Sequence, residues 1–269
     1  MCVCVAPARL SNTIILASAF QNNGTIRHVM GYQNRPQSQS GPNAMLLPIP
    51  AVPNSVSPKD LILTEDFSHI LKDMAAAIHP PTRAMPKSFQ PQAVSAQAVV
   101  FEHGIYTVVL AQNASAIAPA LDQVPEDKRP PLNNAVFDAY TEWYPDWAIA
   151  LCCFNNADLK EGQPILLTFE PLYPDRLFCP GLDSHTGDVP DLRAAVMVDH
   201  TLVLNAPGME RGYPVSYRDE IPEELDSILP TEVIGNDFGG SLTNGDWWFE
   251  RDQVEQGHFN SQRITPPFT

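Results

Sequence analysis

Apolar and polar positions alternate, or run together as short apolar blocks, over most of this chain. CVCVA at 2–6 and TIILASAF at 13–20 are rich in β-branched and apolar residues. QNNGT follows, and then IRHVMGYQN at 26–34. Asn-Asn-Gly between two such runs predicts an antiparallel hairpin, because Asn and Gly tolerate the positive φ of a tight turn. RPQSQSGPN at 35–43 reads as a polar loop. AMLLPIPAVP carries prolines at 48, 50 and 53, which suit an extended edge segment and not a central strand. AVVFEHGIYTVVLAQN reads as strand with a bend at His103-Gly104. WAIALCCF (147–154) and PILLTFEP (164–171) are further strands, and RAAVMVDHTLVLN (193–205) reads as two strands around Asp199-His200.

Helical spacing occurs in two places. Phe67, Ile70, Leu71, Met74 and Ile78 share one face, behind Thr64 as cap and Glu65 and Asp66 in the first turn. This predicts a helix over 65–78, ending before Pro80-Pro81. Val136, Phe137 and Tyr140 predict a second over 134–144, with Trp143 near its end. Ser115–Gln123 reads as a short helix around Pro119. The expected fold class is α+β, a predominantly antiparallel β-sheet with two or three short helices and many proline-rich loops. The expected division is one β-rich domain over 1–218 and an acidic, loop-rich extension over 219–269 docked on it.

Composition narrows the function. Proline contributes 27 of 269 residues, about twice ordinary usage, which excludes long uninterrupted helices. With 16 Lys+Arg against 31 Asp+Glu the net charge is −15, a balance that repels nucleic acid and anionic lipid. No stretch holds 18 consecutive apolar residues, so no membrane-spanning helix is expected. No basic, apolar leader is visible, and the expected location is cytoplasmic. Cys2, Cys4, Cys152, Cys153 and Cys179 form an odd set without C-x-x-C spacing, pointing to reduced, mostly buried thiols rather than a disulfide framework or structural zinc. No cofactor is expected: phosphate loop, nucleophile elbow, H-E-x-x-H and dinucleotide fingerprint are all missing from the sequence.

The succession TIILASAF, IRHVMGYQN, AMLLPIPAVP, YTVVLAQNASAIAPAL, VFDAYTEWYPDWAIALCCF and GQPILLTFEPLYPDRLFCP resembles a bacterial protein family catalogued only as a domain of unknown function. Its members combine a cysteine near the mature N-terminus, a Leu-Pro-x-Pro segment, a Tyr-containing helix followed by an aromatic strand, and a proline-led strand. The resemblance covers roughly residues 2–205. It implies a fold and, since no activity of that family is established, no mechanism.

Candidate chemistry begins at Cys2. With Met1 removed, Cys2 would carry a thiol and a free α-amine, and the amine can act as base for its own side chain. The choloylglycine-type N-terminal-nucleophile hydrolases open similarly, although they place charged residues on the second strand and TIILASAF has none. Arg9 and Asn12 are the nearest candidates to hold substrate, and His28, on a strand near the N-terminus, is the one histidine expected to approach Cys2 in the same sheet, a solvent-facing strand position being the alternative. The structural alternative places Cys2 and Cys4 on one buried strand face; lipidation of either is a third reading.

Cys179, Asp183, His185 and Asp188 in FCPGLDSHTGD have metal-compatible side chains, but one His and one Cys at this spacing fit a polar turn better than zinc. Cys152-Cys153 reads as core on opposite faces of a strand. Asn244-Gly245-Asp246 before Trp247-Trp248-Phe249 reads as a turn anchoring an aromatic latch, the alternative being a ligand or partner patch. Two function classes follow. The preferred one is a non-enzymatic, acidic, β-rich binding or structural module, with a protein partner or self-association in view. The other is an amide hydrolase with Cys2 as nucleophile.

Overall fold

The computed structural model describes residues 3–39, 41–79, 98–155 and 162–267. Fifteen strands and four short α-helices follow one another along them. In order they are β1 (Val3–Cys4), β2 (Ala8–Asn22), β3 (Thr25–Ser38), β4 (Asn43–Ile49), β5 (Leu61–Ile62), α1 (Ile70–Ala77), β6 (Ala98–His103), β7 (Tyr106–Ala111), α2 (Ile117–Ala120), α3 (Asn134–Trp143) and β8 (Ala148–Phe154). The chain continues with β9 (Ile165–Phe169), β10 (Arg176–Cys179), β11 (Ala195–Asn205), β12 (Tyr213–Pro214), β13 (Glu232–Thr243), β14 (Asp246–Glu250), α4 (Arg251–Glu255) and β15 (Gln262–Ile264). The fold is α+β and predominantly antiparallel, as the sequence pattern predicts.

One sheet runs β1-β4-β8-β7-β6 and a second runs β12-β13-β11-β2-β3-β9-β5. In the second, only β2 and β11 are parallel. A third, β10-β14-β15, is short. Strand alternation sorts side chains into three cores. Met45, Leu47, Ile49, Val108, Leu110 and Cys152 face Ile15, Ala17, Met30, Tyr32 and Leu167, filling the space between the two large sheets. Ala44, Leu46, Val109, Ile149, Leu151 and Cys153 point the other way, onto Val136, Phe137 and Tyr140 of α3. Leu16, Val29, Leu166 and Val203 cover the outer face of the seven-stranded sheet together with Ile70, Leu71 and Met74 of α1. The order of layers is therefore helix, sheet, sheet, helix.

Several local expectations change. β2 and β3 turn at Asn23-Gly24, whose φ values of 49° and 83° suit a tight primed turn. β3 continues to Ser38, however, because Arg35–Ser38 pair with Ala8–Ser11; the expected loop begins later. β4 lies between β1 and β8 instead of at an edge. Its Pro48 lies two residues beyond Leu46, and among the described residues β1 pairs with Met45 and Leu46 alone. Residues 98–111 form a hairpin turning at Gly104, φ 57°, and β11 is one continuous strand. Helix one is shorter than expected: a 3-10 turn spans Glu65–Phe67 and α1 starts at Ile70. Thr64 does not cap it; its hydroxyl donates instead to the Pro164 carbonyl at 2.7 Å. The tail expected to be loop-rich holds β13 and β14. Among the described residues no helix is long and apolar enough to cross a membrane.

Candidate functional site

Among the described residues the structure brings Asp183, His185, Asn244 and Asp246 together and leaves His28 in a different sheet from Cys4, Cys152 and Cys153. Cys2 lies outside the described residues. Cys4 is fully buried, facing the inter-sheet core while Val3 and Val5 face the α3 side, so this strand is sealed on both faces. His28 sits on β3 in the seven-stranded sheet, whereas Val3–Cys4 belong to the five-stranded one; the expectation that His28 shares a sheet with the N-terminal strand is corrected. Cys152, Cys153 and Cys179 are also fully buried. Desolvation pushes the Cys153 thiol up to about 12 and raises Cys179 further, with the Asp246 carboxylate adding to the effect. Such thiols are inert packing groups.

His28 is 3% exposed. Burial lowers its pKa from 6.5 to about 4, against the hydrogen bond it makes to the Pro174 carbonyl. The unfolded chain binds a proton near pH 6.5 that the folded chain refuses, so stability is full above pH 6.5 and falls as the pH drops towards 4. A difference of this size corresponds to roughly 3 kcal/mol. His28→Leu should flatten the pH dependence of the urea midpoint between pH 6.5 and 4, which denaturation at a series of pH values will show. His103 is lowered too, again by burial, and pairs with the Pro164 carbonyl at 2.8 Å.

FCPGLDSHTGD is a turn. Asp183 Oδ1 lies 3.0 Å from His185 Nε2, the Ser184 hydroxyl donates to the Asp188 carbonyl at 2.8 Å, and Cys179 points into the core. Among the described residues no group of three or more His, Cys, Asp or Glu side chains could hold a metal ion. The turn instead fastens the N-terminus: Cys4 N–H donates to the Ser184 carbonyl and Ala8 N–H to that of His185, each at 3.0 Å.

Asn244-Gly245-Asp246 fastens the same turn from the other side. Asn244 accepts from Asp183 N–H and donates to the Asp183 carbonyl, both at 2.9 Å. Asp246 is fully buried and accepts from Gly181 N–H at 2.7 Å, Leu182 N–H at 3.0 Å and the Tyr144 hydroxyl at 2.7 Å. Burial raises its pKa, opposed by these bonds and by the Arg263 guanidinium. Arg263 lies 3.8 Å over the Trp247 ring. Trp247 and Phe249 join the inter-sheet core and Trp248 the α3 core, so these aromatics close the ends of both cores and are not surface.

Two of the outward-facing features bear on binding. The first is the outer edge of β13. β12 pairs only with Glu232 and Val233, so from Ile234 to Thr243 no strand lies along that side among the described residues. Asn236, Asp237, Gly239, Ser241 and Thr243 are exposed there. Asp237 is tied to the Thr201 hydroxyl at 2.7 Å and to His79 at 2.8 Å. The pattern could be found in sequence only by recognising GNDFGGSLT as strand, which its glycines conceal. The second is a cleft lined by Arg9, Ser11, Arg35, Pro36 and Gln37. Asn12, flagged beside Arg9, holds a bulge with φ 55°, its N–H donating to the Asp199 carboxylate at 2.8 Å.

No protein-family model matches the sequence, and no curated protein does. Among solved structures the chain is similar to baculovirus P35, at 10% identity over 93% of this chain and 92% of that one, with a TM-score of 0.44. It is similar to a caspase-8/P35 complex at 12% identity over 90% and 88%, TM-score 0.42. A mutated baculovirus P35 after caspase cleavage matches at 15% identity over 72% of this chain and 66% of that one, TM-score 0.40. Likeness at this level assigns neither partner nor activity to this chain.

Proposed function

We propose that this protein is a non-enzymatic, β-rich binding module that takes up an extended segment of a partner protein along the outer edge of β13. The run from Ile234 to Thr243, which has no strand on its outer side among the described residues, carries this reading. Folded proteins blunt long open edges with charge, proline or a covering element, and added strands bind through just such rows of N–H and C=O groups. Here the one ionisable side chain on the run, Asp237, is held by Thr201 and His79. At Gly239 and Gly240 no atom lies within 4 Å of where a side chain would stand, which leaves the backbone accessible there, and Gly240 has a φ of 88°. A net charge of −15 opposes pairing of two copies, which favours a different protein as occupant.

A photo-crosslinking residue at Ser241, placed in the source-cell extract, should give discrete adducts that the exposed Asp138 position on α3 does not. Equal adducts at both positions, or none at Ser241, would overturn the reading. Self-adducts with a dimer in sedimentation would make the occupant a second copy. Iodoacetamide treatment of the folded protein at neutral pH tests the opposing class. Slow labelling of all cysteines is expected; rapid, stoichiometric labelling of Cys2 with Cys4 spared would favour the amide hydrolase instead.

A further inference from the structure

The first strand pair runs on past its neighbours. β11 pairs with β2 only from Thr13 to Ser18, and β9 pairs with β3 only from His28 to Tyr32. Ala8–Ser11 against Arg35–Ser38 is therefore a two-stranded ribbon. Its inward positions Ala8, Leu10, Pro36 and Ser38 are buried, and Arg9, Ser11, Arg35 and Gln37 face outward. Arg9 lies opposite Gln37 and Ser11 opposite Arg35, so the two arginines are diagonal neighbours. Such neighbours stand roughly 7–8 Å apart, and here they flank a cleft of about 270 Å³.

In a protein with 31 acidic and 16 basic residues, neither of these two arginines has a carboxylate partner among the described residues. Arg27, Arg129, Arg176, Arg218 and Arg251 each do. Two like charges held close together on a short ribbon repel each other, and the repulsion is relieved when an anion sits between them. The bulge at Asn12, fixed by Asp199, and the rigid φ of Pro36 preorganise the ribbon that presents them.

We propose that this cleft binds a compact oxyanion, a single phosphate or carboxylate group carried by a ligand or partner. Both guanidiniums present forks of N–H donors matched to such oxygens, and the Ser11 hydroxyl and Gln37 amide add donors between them. The overall negative field excludes long polyanions, so the selected group is small. The cleft and the β13 edge are separate features, and either reading can fail without the other.

Titration of the protein with inorganic phosphate and, separately, with malonate tests this, with ionic strength held constant by sodium chloride and the arginine Nε–H signals followed by NMR. Saturable shifts of the Arg9 and Arg35 signals are expected. Arg9→Gln with Arg35→Gln should weaken binding at least tenfold without lowering the melting midpoint, and Arg35→Lys should weaken it less. Saturation by phosphate alone would mark a phosphoryl-bearing ligand, and by malonate alone a carboxylate-bearing one; either supports the site. Shifts that never saturate, or unchanged binding in the double variant, would overturn it.

Discussion

Asp246→Ala is expected to lower the unfolding free energy by about 3–5 kcal/mol, because it leaves several buried donors without their acceptor. The carboxylate accepts from Gly181 N–H, Leu182 N–H and the Tyr144 hydroxyl, all buried. Each donor left alone in a dry site costs about 1–3 kcal/mol, and this follows whether or not burial has protonated the carboxyl. Asp246 also begins β14, so the loss reaches Trp247 and Trp248, which pair with Cys179 and Phe178 of β10. Asp246→Asn keeps one carbonyl oxygen for the two backbone donors and should lose less. Guanidinium denaturation at pH 7, followed by tryptophan fluorescence, is the measurement. A midpoint for Asp246→Ala within experimental error of the parent would refute the anchoring role.

The hairpin at Asn23-Gly24, the strand over 148–154 and helix α3 were legible because each rests on a local rule: a positive-φ turn, an apolar run, a 3.6-residue stripe. Cys152 and Cys153 were legible as opposite-facing core residues because pleat alternation is local too. Elsewhere the outcome depends on distant partners. Arg35–Ser38 reads as loop from its composition and becomes strand only because Ala8–Ser11 lies alongside. Pro48 argues for an edge, and nothing local shows that β1 lies alongside Met45 and Leu46 of the same strand. His28 gives no sign in the sequence of being buried against Phe169, 5.7 Å away. The two outward-facing features were hidden for the same reason. The Arg9–Arg35 pairing is set by strand register, and the open side of β13 by the two-residue length of β12. Asn244-Gly245-Asp246 was legible as a turn before an aromatic latch, but Asp246 as the group fastening it to 181–182 was not.

Phe137→Ala should cost about 3–5 kcal/mol, the range for emptying a buried aromatic site. α3 is ten residues long and capped by Asn133, whose side chain accepts from Val136 N–H at 3.3 Å. A helix this short draws most of its stability from the face it buries. Val136, Phe137 and Tyr140 are each at most 3% exposed and pack onto Val109, Ile149 and Leu151 from the sheet beneath. Removing the Phe137 ring leaves a cavity between helix and sheet that strand backbones cannot collapse to fill. Asp138, the next residue, is exposed, and Asp138→Ala should stay within about 0.5 kcal/mol of the parent. Urea denaturation of the two variants side by side separates helix propensity from packing, since both change one residue of the same helix to alanine. Equal midpoints would mean that α3 does not hold its place through this stripe, and that its apolar side is open for a partner.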